Sequence, residues 1–157
     1  MNIFVLDKDL KKAAQYHCDQ HVVKMILEYA QILCTVCNLN GTPAPYKVTH
    51  AKHPCVLWAG SSLANWRWLK KLALELNEEY KFRFDKIDDH KSAQVISELQ
   101  EPGIADEGLT EFVQTMPEQY INKQSAVKGY RAYYINEKVK FATWKKRKVP
   151  EWFSNSL

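Results

Sequence analysis

Features that define several classes of protein are missing from this 157-residue sequence. No apolar run approaches the about 20 residues that a transmembrane helix needs, so we expect no membrane partner. The first residues, MNIFVLDKDLKK, place no basic stretch ahead of a long apolar segment, which predicts a cytoplasmic protein without a secretory signal. The spacing of the four cysteines indicates no disulfide framework, and no repeat or low-complexity segment is present. The sequence therefore predicts one globular domain over residues 1–157.

Helical periodicity dominates the chain, because residues that favour strands are few while 46% of the residues are hydrophobic. We expect an all-α, compact bundle of about four to six helices behind a short, extended and buried N-terminus. Capping residues predict five of these helices. The first is capped by Asp7 or Asp9 and ends at Tyr16, and the second is capped by Asp19 and covers about His21–Cys37. The third is capped by Ser61 or Ser62 and ends near Phe84, the fourth is capped by Asp88–Asp89 and ends at Leu99, and the fifth begins at Ser125 and ends near Trp144. A short helix is also expected near residues 110–116, and the three prolines of residues 41–54 predict a loop.

The segment HVVKMILEYAQILCTVC, residues 21–37, is the most informative about function. Wound as an α-helix at about 100° per residue, it collects its polar residues in one arc of about 80°. These residues, called the polar stripe below, are His21, Lys24, Glu28, Gln31 and Thr35. An imidazole, an amine and a carboxylate one turn apart at the wall of a pocket can act as general acid, general base and nucleophile. The catalytic candidates are therefore Glu28, His21 and Lys24, and Gln31 is a pocket residue. The alternative is an exposed i,i+4 ion pair between Lys24 and Glu28.

Histidine and cysteine residues cluster in two further places. Cys18 and His21 lie at the start of the long helix, and His50, His53 and Cys55 lie in the segment YKVTHAKHPC. These five residues are weak candidates for zinc ligands, but no paired CxxC or HExxH pattern frames them, and we expect no cofactor. The alternative to zinc binding is that His50, His53 and Asn65 form part of the wall of a pocket at the polar stripe.

Charge is distributed unevenly along the chain: the net charge is +5 over residues 1–74, −7 over residues 75–111 and +6 over residues 112–157. This division predicts an acidic flank and a basic face that would bind an anionic partner. Cations alternate with aromatic residues towards the basic, aromatic tail of residues 144–157, a pattern that suits phosphates and bases. The predicted nucleic-acid contacts are Arg67, Trp68, Arg131, Lys145, Lys146, Arg147 and Lys148. The alternative places the aromatic side chains in the core and the lysines on a solvated face.

The whole chain resembles a small family of bacteriophage proteins, most of which have no assigned activity. The resemblance is carried by the start MNIFVLD, by CD-x-HVVKM-I-x-E at residues 18–28, by TH-x-x-HPC at 49–55, by N-W-x-W at 65–68 and by R-x-Y-Y at 131–134. It implies that the protein acts in the cytoplasm of an infected host cell.

The segment DQHVVKMILEY, with the proline-containing loop, the next long helix and the tail rich in tryptophan and lysine, is similar to the T4 endonuclease V type of pyrimidine-dimer DNA glycosylase. This resemblance implies a small all-helical fold in which Glu28 is catalytic and His21, seven residues earlier, lines the site. It further implies that basic residues, here those of residues 144–148, grip a kinked DNA duplex.

That glycosylase family attacks the sugar with the free α-amine of an N-terminal threonine, whereas this sequence begins Met1-Asn2. The arginines that flank the family's glutamate correspond to Met25, Leu27 and Gln31. The nucleophile is therefore the amine of Met1 or that of Lys24, or no lyase chemistry occurs. Lys24 is favoured on physical grounds, because a partly buried lysine loses its charge more easily and only a neutral amine is a nucleophile.

These observations together predict an enzyme that cleaves an N-glycosidic bond in damaged or modified DNA, or in a deoxynucleotide, with or without a Schiff-base lyase step. One alternative is a non-catalytic phage protein that binds nucleic acid, a nucleotide or a host defence protein. A zinc-dependent hydrolase is the second alternative.

Overall fold

The computed structural model describes residues 1–156 and, over that range, contains helices joined by loops and no strand, which confirms the all-α prediction. Its α-helices are α1 (Leu10–Tyr16), α2 (Asp19–Leu39), α3 (Pro54–Gly60), α4 (Leu63–Arg83), α5 (Lys91–Ser97), α6 (Ala126–Glu137) and α7 (Glu151–Ser154), and Glu118–Tyr120 form one 3₁₀ turn. The expected number of helices is exceeded because α3 and α7 are short helices that start at or directly after a proline, a residue compatible with the first turn of a helix.

Capping residues locate a helix correctly where their side chains are free to cap it. Asp9 accepts a hydrogen bond from the Lys12 N–H, and Ser125 accepts one from the Lys128 N–H, as expected. Asp19 does not cap α2: it is the first residue of that helix, and its carboxylate accepts a hydrogen bond from the Lys145 N–H at 2.9 Å. A tertiary hydrogen bond to Lys145 has thus replaced the local capping bond that the sequence predicted.

Three other helix predictions need correction. The helix after Asp88–Asp89 starts later, at Lys91, because the His90 side chain caps it, and it ends at Ser97. Residues 110–116 form no helix, and α6 ends at Glu137 rather than near Trp144. The chain of residues 110–116 packs instead as an irregular segment whose backbone bonds to buried side chains.

Helix α2 is the centre of the core and packs most extensively against α4, with further contacts to α3 and α5. By length and composition alone this helix could cross a membrane, but 61% of its apolar stretch of 18 residues is buried inside the protein. That burial is what the core helix of a soluble protein shows, and it accounts for the near-continuous apolar surface of the segment.

The first six residues form an extended segment that is drawn into the core, as the sequence predicted. Residues 3–6 are buried, and Phe4 donates its N–H to the Tyr29 hydroxyl on α2. Arg131 on α6 donates to the carbonyl of Leu6 at 2.9 Å. Contacts on two sides therefore fix the path of the chain up to Met1.

The basic tail folds back on the acidic part of the chain. Arg147 donates to Glu79 at 2.6 Å, and Lys146 pairs with Asp85. The division of charge along the sequence therefore serves, at least in part, an intramolecular contact between the C-terminal segment and the end of α4.

Candidate functional site

The α-amine of Met1 and the carboxylate of Glu28 lie 3.2 Å apart, from the amine nitrogen to Oε1. The side chains of Met1 and Glu28 are 3% and 14% exposed, and each residue as a whole is half-buried. The second carboxylate oxygen, Oε2, is buried and has no hydrogen-bond partner among the described residues. A buried polar atom without a partner is rare in folded proteins and calls for an explanation. We call the amine of Met1 and the carboxylate of Glu28 the amine–carboxylate pair.

Asn2 fixes the turn that presents the amine. Its Oδ1 accepts hydrogen bonds from the Ile3 N–H at 2.8 Å and from the Tyr130 hydroxyl at 2.9 Å, and its Nδ2 donates to the Thr115 carbonyl at 2.7 Å. Asn2 was not singled out in the sequence, because its partners lie more than a hundred residues away.

His21 lies beneath the N-terminal segment rather than in an open pocket. Its ring stacks on Phe4 with 4.3 Å between ring centroids, its Nδ1 lies 2.5 Å from the Tyr134 hydroxyl, and only 6% of the residue is exposed. Burial lowers the pKa of His21 to about 3, so the ring is neutral. The expectation that His21 acts directly on a substrate is therefore replaced by a positioning role through Phe4.

His17 supports the same segment from the opposite side. Its Nδ1–H donates to the Ala13 carbonyl at 2.6 Å, and its Nε2 accepts from the Tyr29 hydroxyl at 2.8 Å. The Tyr29 hydroxyl in turn accepts the N–H of Phe4. Burial lowers the pKa of His17 to about 4, and the neutral ring this produces is the form that such a chain of bonds requires. Sequence reasoning gave His17 no such role.

Lys24 lies at the solvent edge of the site. Its side chain is 70% exposed, and its Nζ lies 3.6 Å from Oε2 of Glu28. The expected partly buried lysine is therefore not found. The i,i+4 contact foreseen as the alternative is present, but Glu28 shares its charge between this exposed ammonium and the α-amine of Met1.

A groove of about 520 Å³ lies between α2 and the loop that follows it, at the residues that flank Glu28 along the helix. It is lined by Leu27 and Gln31 from α2 and by residues 45–49, called the groove loop below. Thr35, the last residue of the polar stripe, accepts the N–H of Thr49 at 3.2 Å and so ties the groove loop to α2. The groove therefore has walls that are fixed before any ligand binds.

The histidines of the segment after the groove loop lie near the amine–carboxylate pair. The pKa of His53 is lowered first by burial and then by the positive charge of the α-amine, while the charge of Glu28 acts in the opposite sense. The Nδ1 of His53 accepts the Cys55 N–H at 3.1 Å, which leaves Nε2 to carry the proton in the neutral ring. His50 is exposed, has a left-handed backbone with φ of 49°, and lies 6.4 Å from His53 between ring centroids.

The five weak zinc candidates are not brought together. Within residues 1–156, no three His, Cys, Asp or Glu side chains form a group that could hold a metal ion. Cys18 and His21 share the Tyr134 hydroxyl inside the core, whereas the Sγ of Cys55 lies 3.6 Å from Thr115. Burial also raises the pKa of both thiols, which disfavours the thiolate that a zinc ion would need.

Asn65 and Trp68 belong to the core, contrary to the expected roles in a pocket and in base stacking. The Asn65 carboxamide donates to the Trp58 carbonyl at 2.9 Å and accepts the Thr110 N–H at 3.0 Å. Trp68 packs on Phe112 with 4.6 Å between ring centroids and is buried. Both side chains join α4 to the irregular segment before α6.

Four of the cations expected to contact nucleic acid have acidic partners within the protein: Arg67 pairs with Glu101 and Asp106, Arg131 with Asp7, Lys146 with Asp85, and Arg147 with Glu79. These pairs give the four residues structural roles. Lys145 and Lys148 are exposed, and their contact with nucleic acid stays a prediction.

Comparisons of the chain with protein-family models, with curated proteins and with solved structures give no match. The function has to be argued from the site itself.

Proposed function

We propose that this protein cleaves an N-glycosidic bond of DNA or of a deoxynucleotide, with the α-amine of Met1 as the nucleophile and Glu28 as its proton acceptor and donor. The observation that carries the proposal is the 3.2 Å contact between the amine and Oε1 of Glu28, whose Oε2 has no hydrogen-bond partner and only the Lys24 ammonium at 3.6 Å. Of the two amines foreseen, the α-amine fits better, because a fixed group has less conformational freedom to lose at the transition state than the exposed Lys24.

The chemistry balances with these two groups. Glu28 takes a proton from the ammonium of Met1, since only the neutral amine is a nucleophile. The nitrogen lone pair then forms a bond to the sugar C1′, and the bond from C1′ to the base breaks with its electron pair moving to the base. The base takes up a second proton from the attacking nitrogen. When the ring bond from C1′ to O4′ opens, O4′ takes the proton held by Glu28, and a protonated Schiff base joins Met1 to C1′.

Water hydrolyses the Schiff base and returns the free amine, which completes glycosylase turnover. In a DNA strand, elimination of the 3′ phosphate before hydrolysis would add a lyase step. The arrangement provides for both outcomes with the same amine.

Borohydride trapping on a panel of damaged and modified DNA duplexes and deoxynucleotides tests the proposal. Intact-mass measurement first establishes that the purified chain starts at Met1 with a free amine. We expect a reduced adduct, and peptide mass spectrometry should place the sugar on the peptide that contains Met1. Glu28→Gln should lower the yield and the rate by about a hundredfold or more, as for loss of a general acid–base group.

Three variants sharpen this test. Lys24→Ala should still form the adduct, and a Gly-Ser extension ahead of Met1 should abolish it by displacing the amine. Glu78→Gln, at an exposed carboxylate on α4, is the matched control for Glu28→Gln and should leave the yield unchanged. An adduct on a lysine peptide, or normal activity of Glu28→Gln, would refute the proposed roles.

Binding of a nucleic acid or nucleotide without cleavage is the second candidate function. The observation that favours it is the preformed groove, whose lining includes the exposed Lys47. It predicts affinity that falls steeply with salt and is the same in Glu28→Gln, with no trapped adduct.

A further inference from the structure

The groove beside Glu28 has the features of a prepared ligand site. Its loop is held by two residues of α2, because Asn38 accepts the Ala44 N–H at 2.9 Å and donates to the Tyr46 carbonyl at 2.8 Å, while Thr35 bonds Thr49. A groove on rigid elements loses little entropy when a ligand binds. Its volume of about 520 Å³ is within the range of small-molecule sites.

The lining combines apolar side chains with polar ones, among them Gln31, Lys47 and Thr49. Leu27 is 42% exposed on the α2 side, and Pro45 and Val48 face it from the groove loop. Gln31 is half-buried and offers a carboxamide, which has both donor and acceptor atoms. Apolar walls with polar groups at their edge are complementary to a heteroaromatic ring that has hydrogen-bonding atoms at its own edge.

The position of the groove also indicates which part of a substrate it would take. Gln31 follows Glu28 by three residues on α2, so their side chains leave the helix about 5–6 Å apart on the same face. In the proposed reaction the sugar C1′ lies at the amine–carboxylate pair, and the base is bonded directly to C1′. The base must therefore lie within a few ångströms of Glu28, and the groove is the cavity on that side.

We infer that the groove between α2 and residues 45–49 binds the nucleobase of the substrate, with the Gln31 carboxamide as its hydrogen-bonding contact. This inference rests on the proposed function, which supplies the sugar position, and it assigns Gln31 to base binding rather than to bond cleavage.

Binding of the four deoxynucleoside 5′-monophosphates, followed by NMR, tests the inference without any need for turnover. We expect at least one of them to shift the Gln31 side-chain amide and the Leu27 methyl signals. Gln31→Met, which keeps the length of the side chain but removes its donor and acceptor, should weaken that binding about three- to tenfold, the value of one neutral hydrogen bond. Gln20→Met, at an exposed glutamine of the same helix outside the groove, is the matched control and should change the affinity by less than about twofold.

The outcomes separate the inference from the proposed function. Shifts at the groove that depend on Gln31, without any trapped adduct, support the nucleobase site and refute the bond cleavage. A trapped adduct combined with an unchanged KM in Gln31→Met, or with shifts that map elsewhere, places the base outside the groove and overturns the inference. The inference is also overturned if none of the four nucleotides shifts either signal.

Discussion

Two buried neutral histidines make the fold sensitive to mild acid. His17 and His21 both support the N-terminal segment that carries the α-amine, and burial lowers their pKa values to about 4 and about 3. In the unfolded chain a histidine has a pKa near 6.5. Below about pH 6.5 the unfolded state therefore binds protons that the folded state does not, and acid favours unfolding.

The magnitude follows from these values. Each pKa unit corresponds to about 1.36 kcal/mol, so lowering the pH from 6.5 to 5 should cost about 2 kcal/mol for each ring. The two rings together should cost about 4 kcal/mol at pH 5, a large part of the about 5–15 kcal/mol that stabilises a typical domain. The stability is complete above pH 6.5 and is lost as the pH falls towards the folded-state values of about 4 and about 3. Carboxylates with a lowered pKa, such as Asp85, lose their contribution to the free energy of unfolding only at still lower pH, so they do not affect the measurement between pH 6.5 and pH 5.

Urea unfolding, followed by circular dichroism at several pH values between 7.5 and 5, measures this effect. We expect the free energy of unfolding to fall below pH 6.5 with a slope of at least about 2.7 kcal/mol per pH unit, the value for two groups, because the lowered pKa values of His53 and His90 act in the same direction. His21→Phe keeps an aromatic ring against Phe4 and removes one titrating group, so it should reduce the slope by about 1.4 kcal/mol per pH unit. A free energy that is constant from pH 7 to pH 5 would refute the burial argument for both rings.

Two further predictions concern stability. Glu79→Gln should lower the free energy of unfolding by about 3 kcal/mol, because it removes a carboxylate that pairs with the fully buried Arg83. Urea unfolding measures this change, and an unchanged midpoint would contradict the prediction. Gly129→Ala should cost about 1–3 kcal/mol in a thermal melt, because the added methyl group would overlap the Gln114 side-chain oxygen and lie 3.1 Å from the Tyr120 carbonyl oxygen. Gly60→Ala is the matched control, since its methyl group would meet only side-chain atoms at ordinary contact distances and should leave the stability unchanged or higher; equal losses in both variants would show that crowding is not the cause.

The sequence was sufficient for features that depend on neighbours along the chain. The periodicity of residues 21–37 predicted a buried helix, and the caps Asp9 and Ser125 placed two helix starts, because helix propensity and capping are local. It also singled out Glu28, as the one carboxylate of the mostly apolar segment of residues 21–37. The same local reasoning failed at Asp19, whose carboxylate binds a backbone group of residue 145 instead.

Only the tertiary structure decided which amine accompanies Glu28. The sequence left the amines of Met1 and Lys24 as alternatives and favoured a partly buried Lys24. The folded chain instead places the α-amine of Met1 3.2 Å from the carboxylate and leaves the Lys24 side chain 70% exposed. It also gave four of the expected nucleic-acid cations partners inside the protein. These outcomes depend on contacts between residues far apart in the chain, and such contacts follow from how the apolar faces of the helices pack together, which no local pattern records.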